Sequence, residues 1–274
     1  MQGMKRYMHL MSDYAFKKIF GSEENKSILI KFLNAVIPNE DKIIDVIFRD
    51  KEALPFQEDG KRMVYDIYCL THDGRHIVVE MQRAFQPTFS DRALLYSSHL
   101  LLRQLRSGNA YEVAPVYGIF LMGFNMIDQT PALCRRVSLM DEDRHELFSN
   151  KLKLIFLDLK EMTKNSLEEC LNPIEEWLFL IKNMENMKDK PNNYPTYDEL
   201  FEAADLSSMA NEDVVSYSQS RRKMQDDMEG MAYFGRMQRE EGREEGRLST
   251  LIEKAKQAKE MGLPDDIIKS LFGL

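Results

Sequence analysis

The stretch Val64-Tyr65-Asp66-Ile67-Tyr68, Thr71-His72-Asp73-Gly74-Arg75 and Ile77-Val78-Val79-Glu80-Met81-Gln82 constrains this chain most. Asp-Gly between two apolar, β-branched runs is a strong local signal for a β-hairpin. The arms then carry acidic groups at defined places. If the turn centres on Asp73, residue i faces residue 146 − i and Asp66 lies opposite Glu80. If it centres between Asp73 and Gly74, Asp66 lies opposite Met81, between Glu80 and Gln82. Side chains alternate faces along a strand, so Glu80 and Gln82 share one face, and the first register adds Asp66 to it. Opposed carboxylates repel unless a cation lies between them, and hard divalent cations take oxygen ligands. Asp is disfavoured within strands, and Glu80 is flanked by apolar residues, where an unpaired carboxylate loses hydration.

The flanking segments extend this into a mixed α/β domain. Ser12 caps a short expected helix, Asp13–Phe20, with Gly21 at its C-terminal end. A second helix is expected over about Glu23–Val36, ending before Pro38. Ile43–Phe48 reads as a first strand with Ile44, Val46 and Phe48 on one side. The hairpin strands span about Arg62–Leu70 and His76–Gln82. A helix over about Ser90–Ser107 follows, capped by Ser90 and closed by Gly108. Val116–Phe124 is an uninterrupted apolar run suited to a strand buried on both faces, and Lys153–Leu159 to a further strand. The rest reads as helical: Ser166–Asn183, a Pro-containing linker Lys188–Tyr197, Asp198–Met209, then a charged helix over about Asn211–Met261. In the last, Arg239-Glu240-Glu241-Gly242 is nearly repeated by Arg243-Glu244-Glu245-Gly246, stacking the two glycines on one face as a tether or a helix–helix contact. Gly262-Leu263-Pro264 separates a short terminal helix.

Composition restricts the function classes. Of 274 residues, 43% are hydrophobic, enough for a sizeable core. No apolar run approaches the about 20 residues of a membrane span. The N-terminus shows no signal-peptide pattern, and three widely spaced cysteines suit reduced thiols in a cytoplasmic protein. The five histidines form no metal-ligand spacing. No phosphate loop, dinucleotide-binding or serine-hydrolase motif is present. The net charge is −8, but unevenly spread: residues 1–127 hold 16 Lys+Arg against 15 Asp+Glu, a net of +1, and residues 128–274 hold 21 against 30, a net of −9. The half that carries the hairpin is therefore close to neutral, which weakens the objection to a nucleic-acid partner.

Asp66 on one strand and Glu80-Met81-Gln82 on the next resemble the PD-(D/E)XK nuclease superfamily, with Gln82 where most members carry lysine. Ser12-Asp13-Tyr14-Ala15-Phe16-Lys17-Lys18-Ile19-Phe20-Gly21, the run from Arg92-Ala93-Leu94-Leu95-Tyr96 to Gln104, and the Glu-Gly-Arg-rich tail are similar to its recombination-promoting nuclease branch of bacteria, also named transposases. The resemblance covers roughly residues 10–160. It implies a restriction-endonuclease-like α/β fold with an αβββαβ core, a mixed central sheet and an α-helical C-terminal extension. The expected division is a nuclease-like domain over 1–160, a helical extension over 161–209 and a charged tail over 210–274. The function implied is a Mg²⁺-dependent DNA endonuclease linked to recombination or mobile elements, with Mn²⁺ or Ca²⁺ as substitute ions. Asp66 and Glu80 would hold the metal, Gln82 would orient water, Asp13 would join the site directly or through water, and Arg92 would contact phosphate. Lys17 and Lys18 would touch DNA or form a solvated face. The chain's own residues leave two other readings open: a nuclease-fold module that binds DNA or protein without cleaving, and an assembly protein that oligomerises through its C-terminal helices.

Overall fold

The computed structural model describes residues 5–38, 41–50, 52–53, 63–105, 111–126 and 130–272. The chain divides into two compact units, Met1–Arg221 and Arg222–Leu274. The first opens with α1, Asp13–Phe20, and α2, Lys26–Val36. The Ser12 side chain accepts from the Ala15 N–H, so the expected N-cap forms, whereas Gly21 ends α1 without entering the left-handed region. Strand β1 is Val46–Phe48, and a small ribbon pairs β2, Glu52–Ala53, with β3, Met63–Val64. The hairpin follows as β4, Ile67–Thr71, and β5, His76–Gln82. Then come α3, Phe89–Leu102, and β6, Val116–Met122. The edge ribbon consists of β7, Cys134–Met140, and β8, Leu147–Asp158. Helices α4, Pro173–Asn183, and α5, Asp198–Ala204, precede the 50-residue α6, Asn211–Glu260, and the short α7, Asp265–Phe272.

The main sheet has the order β1-β4-β5-β6-β8-β7, with β5-β6 and β6-β8 parallel and the remaining pairs antiparallel. This is the restriction-endonuclease-like αβββαβ core, a mixed sheet flanked by helices, followed by the helical extension. Every residue of β6 is buried, as its unbroken apolar run requires of a central strand covered on both sides. On one face, α1, α2, α4 and α5 pack around Phe20, Phe32, Trp177 and Tyr197. On the other, α3 lies against an aromatic cluster of Phe89, Phe120, Phe124 and Phe156. Ser97 of α3 sits directly on Gly118 of β6: a Cβ there would stand 2.3 Å from the Ser97 Oγ.

Several boundaries differ from the sequence expectation for identifiable reasons. The segment before Val46 is not a strand, so its alternation does not apply: Ile43 is buried and Ile44 is exposed. Helix α3 begins at Phe89 after Thr88, and Ser90 does not cap it; residues 106–108, where its end was expected, lie outside the described residues. The expected helix from Ser166 is a short 3-10 turn, Leu167–Glu169, and α4 starts afresh at Pro173 with the Asn172 side chain capping Glu175 N–H. Leu171, between the two, is exposed. Strand β7 was not expected at all.

Candidate active site

The hairpin turn fixes the geometry from which the site is built. Thr71 and Arg75 close a three-residue loop, with Thr71 N–H to Arg75 O at 2.9 Å and Gly74 N–H to Thr71 O at 3.0 Å. Gly74 has φ +85°, the left-handed conformation that this loop demands at its third position and that glycine adopts without steric cost. The observed pairs Ile67↔Val79, Tyr68↔Val78 and Cys69↔Ile77 all sum to 146. The first of the two registers is therefore the one adopted, and it carries Asp66 opposite Glu80.

At that pair the main-chain ladder gives way to side chains. Asp66 sits at a bend between β3 and β4. Its N–H donates to Glu80 Oε1 at 3.0 Å, and Met81 N–H donates to Asp66 Oδ2 at 2.9 Å. Each carboxylate is thus pinned through one oxygen by an amide of the opposing strand. The other oxygens meet cations. Lys17 Nζ of α1 lies 3.7 Å from Asp66 Oδ1, and Arg92 Nη2 of α3 lies 3.4 Å from Glu80 Oε2. Arg92 Nη1 also reaches Gln82 Oε1 at 3.4 Å, and its guanidinium stacks on the Tyr96 ring.

Glu80 is 5% exposed. Burial, reinforced by the neighbouring Asp66 charge, pushes its carboxyl well above the ordinary range, and burial raises Asp66 as well. Lys17 responds in the opposite sense. Burial acts to lower its ammonium, but Asp13, 2.7 Å away, together with Asp66 holds it above its usual value.

The structure therefore brings Asp66, Glu80, Gln82, Arg92 and, through Lys17, Asp13 to one end of the hairpin. Asp13 is separated from Asp66 by the Lys17 ammonium. The Gln82 amide is engaged on both sides, with Nε2 donating to Ala84 O at 2.9 Å and Oε1 accepting from Arg92. Gln104 does not join the site. It clamps the chain ahead of β6 by accepting from Ala114 N–H at 2.7 Å and donating to Ala114 O. Lys18 pairs with Asp213 instead of facing the carboxylates.

Lys17, expected at DNA or on a solvated helix face, lies instead beside Asp66. Its i,i+4 pairing with Asp13 is legible, but its approach to Asp66 depends on how α1 docks. Tyr65 and His99 were missed. The Tyr65 hydroxyl meets His99 Nδ1 at 3.1 Å and Tyr65 packs edge-on to Tyr96, tying α3, and hence Arg92, to the residue beside Asp66.

As a metal centre, this donor set offers two carboxylate oxygens, Asp66 Oδ1 beside Lys17 and Glu80 Oε2 beside Arg92. No cluster of three or more His, Cys, Asp or Glu suited to a metal ion exists among the described residues. Two hard oxygens fit an ion such as Mg²⁺, which binds through one or two carboxylates and retains waters.

The family model for PD-(D/E)XK nuclease family transposases matches residues 10–233. The chain belongs to this family. The match spans α1, the hairpin, α3, the whole six-stranded sheet and much of α6, well beyond the local motifs around Asp66 and Glu80. No curated protein and no solved structure matches the chain. Membership supports a nuclease-like, mobile-element-related function and a nucleic-acid partner, and nucleases of this superfamily generally use divalent metal ions. Among the described residues no helix is long and apolar enough to cross a membrane.

Proposed function

We propose that this PD-(D/E)XK family member is a divalent-metal-dependent DNA endonuclease, with Mg²⁺ as its ion and Mn²⁺ or Ca²⁺ as substitutes. It would act in the cytoplasm of a bacterium in recombination or mobile-element activity. The observation that carries the reading is the pair of opposed, mostly buried carboxylates, each with one oxygen pinned by a backbone N–H and the other turned toward a cation. A lone buried carboxylate is costly, and a cationic ligand removes that cost. Asp66 and Glu80 would hold the ion, whose chemistry would be to polarise the phosphodiester and lower the pKa of attacking water.

The remaining roles belong to the chain itself. Arg92 has a fork of donors suited to a phosphate oxygen, and the Tyr96 ring holds that fork in place. Gln82 cannot act as a base; its Oε1 aligns Arg92, and its second N–H and lone pair are left to orient water. Lys17 stands in for the strand lysine that Gln82 replaces, bringing a positive charge to Asp66 from α1 rather than from β5. Asp13 holds the Lys17 ammonium in position. We assign this chemistry to residues 1–160, with 161–209 as a helical support and 210–274 as a charged tail that associates through its helices.

The engagement of both ends of the Gln82 amide favours a second reading, a nuclease-fold module that binds DNA without cutting it. Plasmid nicking with Mg²⁺ or Mn²⁺ separates the two. The nuclease nicks in the presence of metal and loses this in both Asp66→Ala and Glu80→Ala. A folded wild type that binds DNA but cleaves neither single- nor double-stranded substrate supports the binding module.

A further inference from the structure

Strand β7 forms one edge of the six-stranded sheet, and the ribbon it makes with β8 leaves several apolar side chains in solvent. Val137 is 40%, Leu139 44% and Met140 50% exposed. An edge of this kind is a template for another strand unless something blocks it. The phase of its free groups can be read from its hydrogen bonds. Leu133 O accepts from Asp158 N–H at 3.0 Å, and Asp141 N–H donates to Glu146 O at 2.8 Å. Both odd-numbered residues point their backbone groups toward β8, and the register shifts are taken up on the β8 side. By alternation the N–H and C=O groups of Arg136, Ser138 and Met140 point away from the sheet.

The side chains along this edge are self-complementary. The strand begins with Arg135-Arg136 and runs into Asp141-Glu142-Asp143. When a second copy pairs antiparallel with a two-fold axis at Ser138, Arg136 faces Met140 and Ser138 faces Ser138, the positions whose backbone groups are free. The same register sets Arg135 against Asp141 and Val137 against Leu139. Moving the axis to Arg136 would oppose the two Arg136 residues, and moving it to Met140 would leave Arg135 without its acidic partner. The acidic turn, with Asp141, Glu142, Asp143 and Glu146 against Arg144, makes nucleic acid an unsuitable occupant, because phosphates would be repelled.

We propose that β7 is a homodimer interface: two copies of the chain join their sheets edge to edge about Ser138, through reciprocal main-chain bonds at 136, 138 and 140. The inference is independent of the nuclease reading, and its test does not use cleavage.

The test is site-specific disulfide trapping in the full chain, with sedimentation of the untrapped protein. Ser138→Cys places two thiols directly opposite, where Cα atoms of a hydrogen-bonded pair are about 5.5 Å apart and within disulfide range. Met140→Cys is the control, because the two Met140 positions would lie about 13 Å apart along the strands. The expected result is a dimer that Ser138→Cys locks covalently under mild oxidation, while Met140→Cys and the wild type, with its three native cysteines, do not. Ser138→Pro removes an N–H that points away from β8, so it should leave the chain folded while weakening dimerisation about tenfold or more. A wild type that sediments as a monomer would overturn the proposal. So would trapping of Ser138→Cys no faster than Met140→Cys, or a dimer lost on removal of residues 222–274 but indifferent to Ser138→Pro.

Discussion

Replacing Glu80 by glutamine should stabilise the metal-free protein, and by an amount that depends on pH in a defined direction. Glu80 is 5% exposed, and burial first, then the Asp66 charge, pushes its carboxyl from 4.5 up to about 8. A carboxyl raised on folding binds its proton more tightly in the native state, so stability falls as pH climbs from the unfolded value toward the folded one. At pH 7 the native group remains protonated while the unfolded chain has released its proton, a gap of about 2.5 pH units above 4.5, or ~3 kcal/mol. Glutamine keeps the oxygen that accepts the Asp66 N–H and removes the ionisation. Glu80→Gln should therefore melt about 6–12 °C above wild type at pH 7 without metal and close to it at pH 4. Saturating Mg²⁺ should raise the wild-type melting temperature and leave the variant unmoved, because only the wild type retains both carboxylates. Thermal melts from pH 4 to 8, with chelator or Mg²⁺, measure all of this. A wild type whose stability rises from pH 5 to 7.5 without metal, or a variant less stable than wild type at pH 7, would refute the reasoning.

Other consequences are open to simpler assays. Gly118→Ala drives a methyl to 2.3 Å from Ser97 Oγ and 2.8 Å from Phe120, which should cost ~1–3 kcal/mol in urea melts; adding Ser97→Ala should recover part of it. Arg75 is buried, with its guanidinium bonded to Asp73 and, at 2.5 Å, to Asp41 O, so Arg75→Met should destabilise by ~3 kcal/mol while leaving metal-dependent nicking per folded molecule intact. Lys17→Met should lower the nicking rate about tenfold or more, while Lys17→Arg, which keeps the charge, should retain most of it. Unchanged nicking in Lys17→Met would remove this residue from the site.

The parts of this architecture that announce themselves in the sequence are those set by local rules. Asp73-Gly74 between β-branched runs fixes the hairpin and narrows its register to two choices, Ser12 fixes the start of α1, and the apolar run from Val116 fixes the central strand. What escapes depends on tertiary context. Strand β7 has a pattern of mixed polarity, Cys134-Arg135-Arg136-Val137-Ser138-Leu139-Met140, that carries no clean alternation because neither of its faces is fully buried. The start of α3 is obscured because Thr88 makes no side-chain cap and packing of Phe89 decides the boundary. Lys17 and Tyr65–His99 belong with these: their spacing is ordinary, and only the docking of α1 and α3 on the sheet brings them to Asp66.

The position of Asp66 shows how the local and tertiary constraints meet. An aspartate within a strand calls for an explanation, since its short polar side chain competes for backbone partners. In the structure that competition has been resolved by moving the residue to the strand's edge: the ladder of β4 with β5 ends at Ile67↔Val79, and Asp66 occupies the bend just beyond it. There Met81 N–H, which a continued ladder would direct to the Tyr65 carbonyl, donates instead to the Asp66 side chain, and Asp66 N–H turns to the Glu80 side chain. The break in the ladder and the convergence of the two carboxylates are therefore one feature. It follows that truncating either side chain loosens the end of the hairpin as well as removing an ionisable carboxyl. Glu80→Gln, which retains the acceptor, separates those two effects where Glu80→Ala cannot.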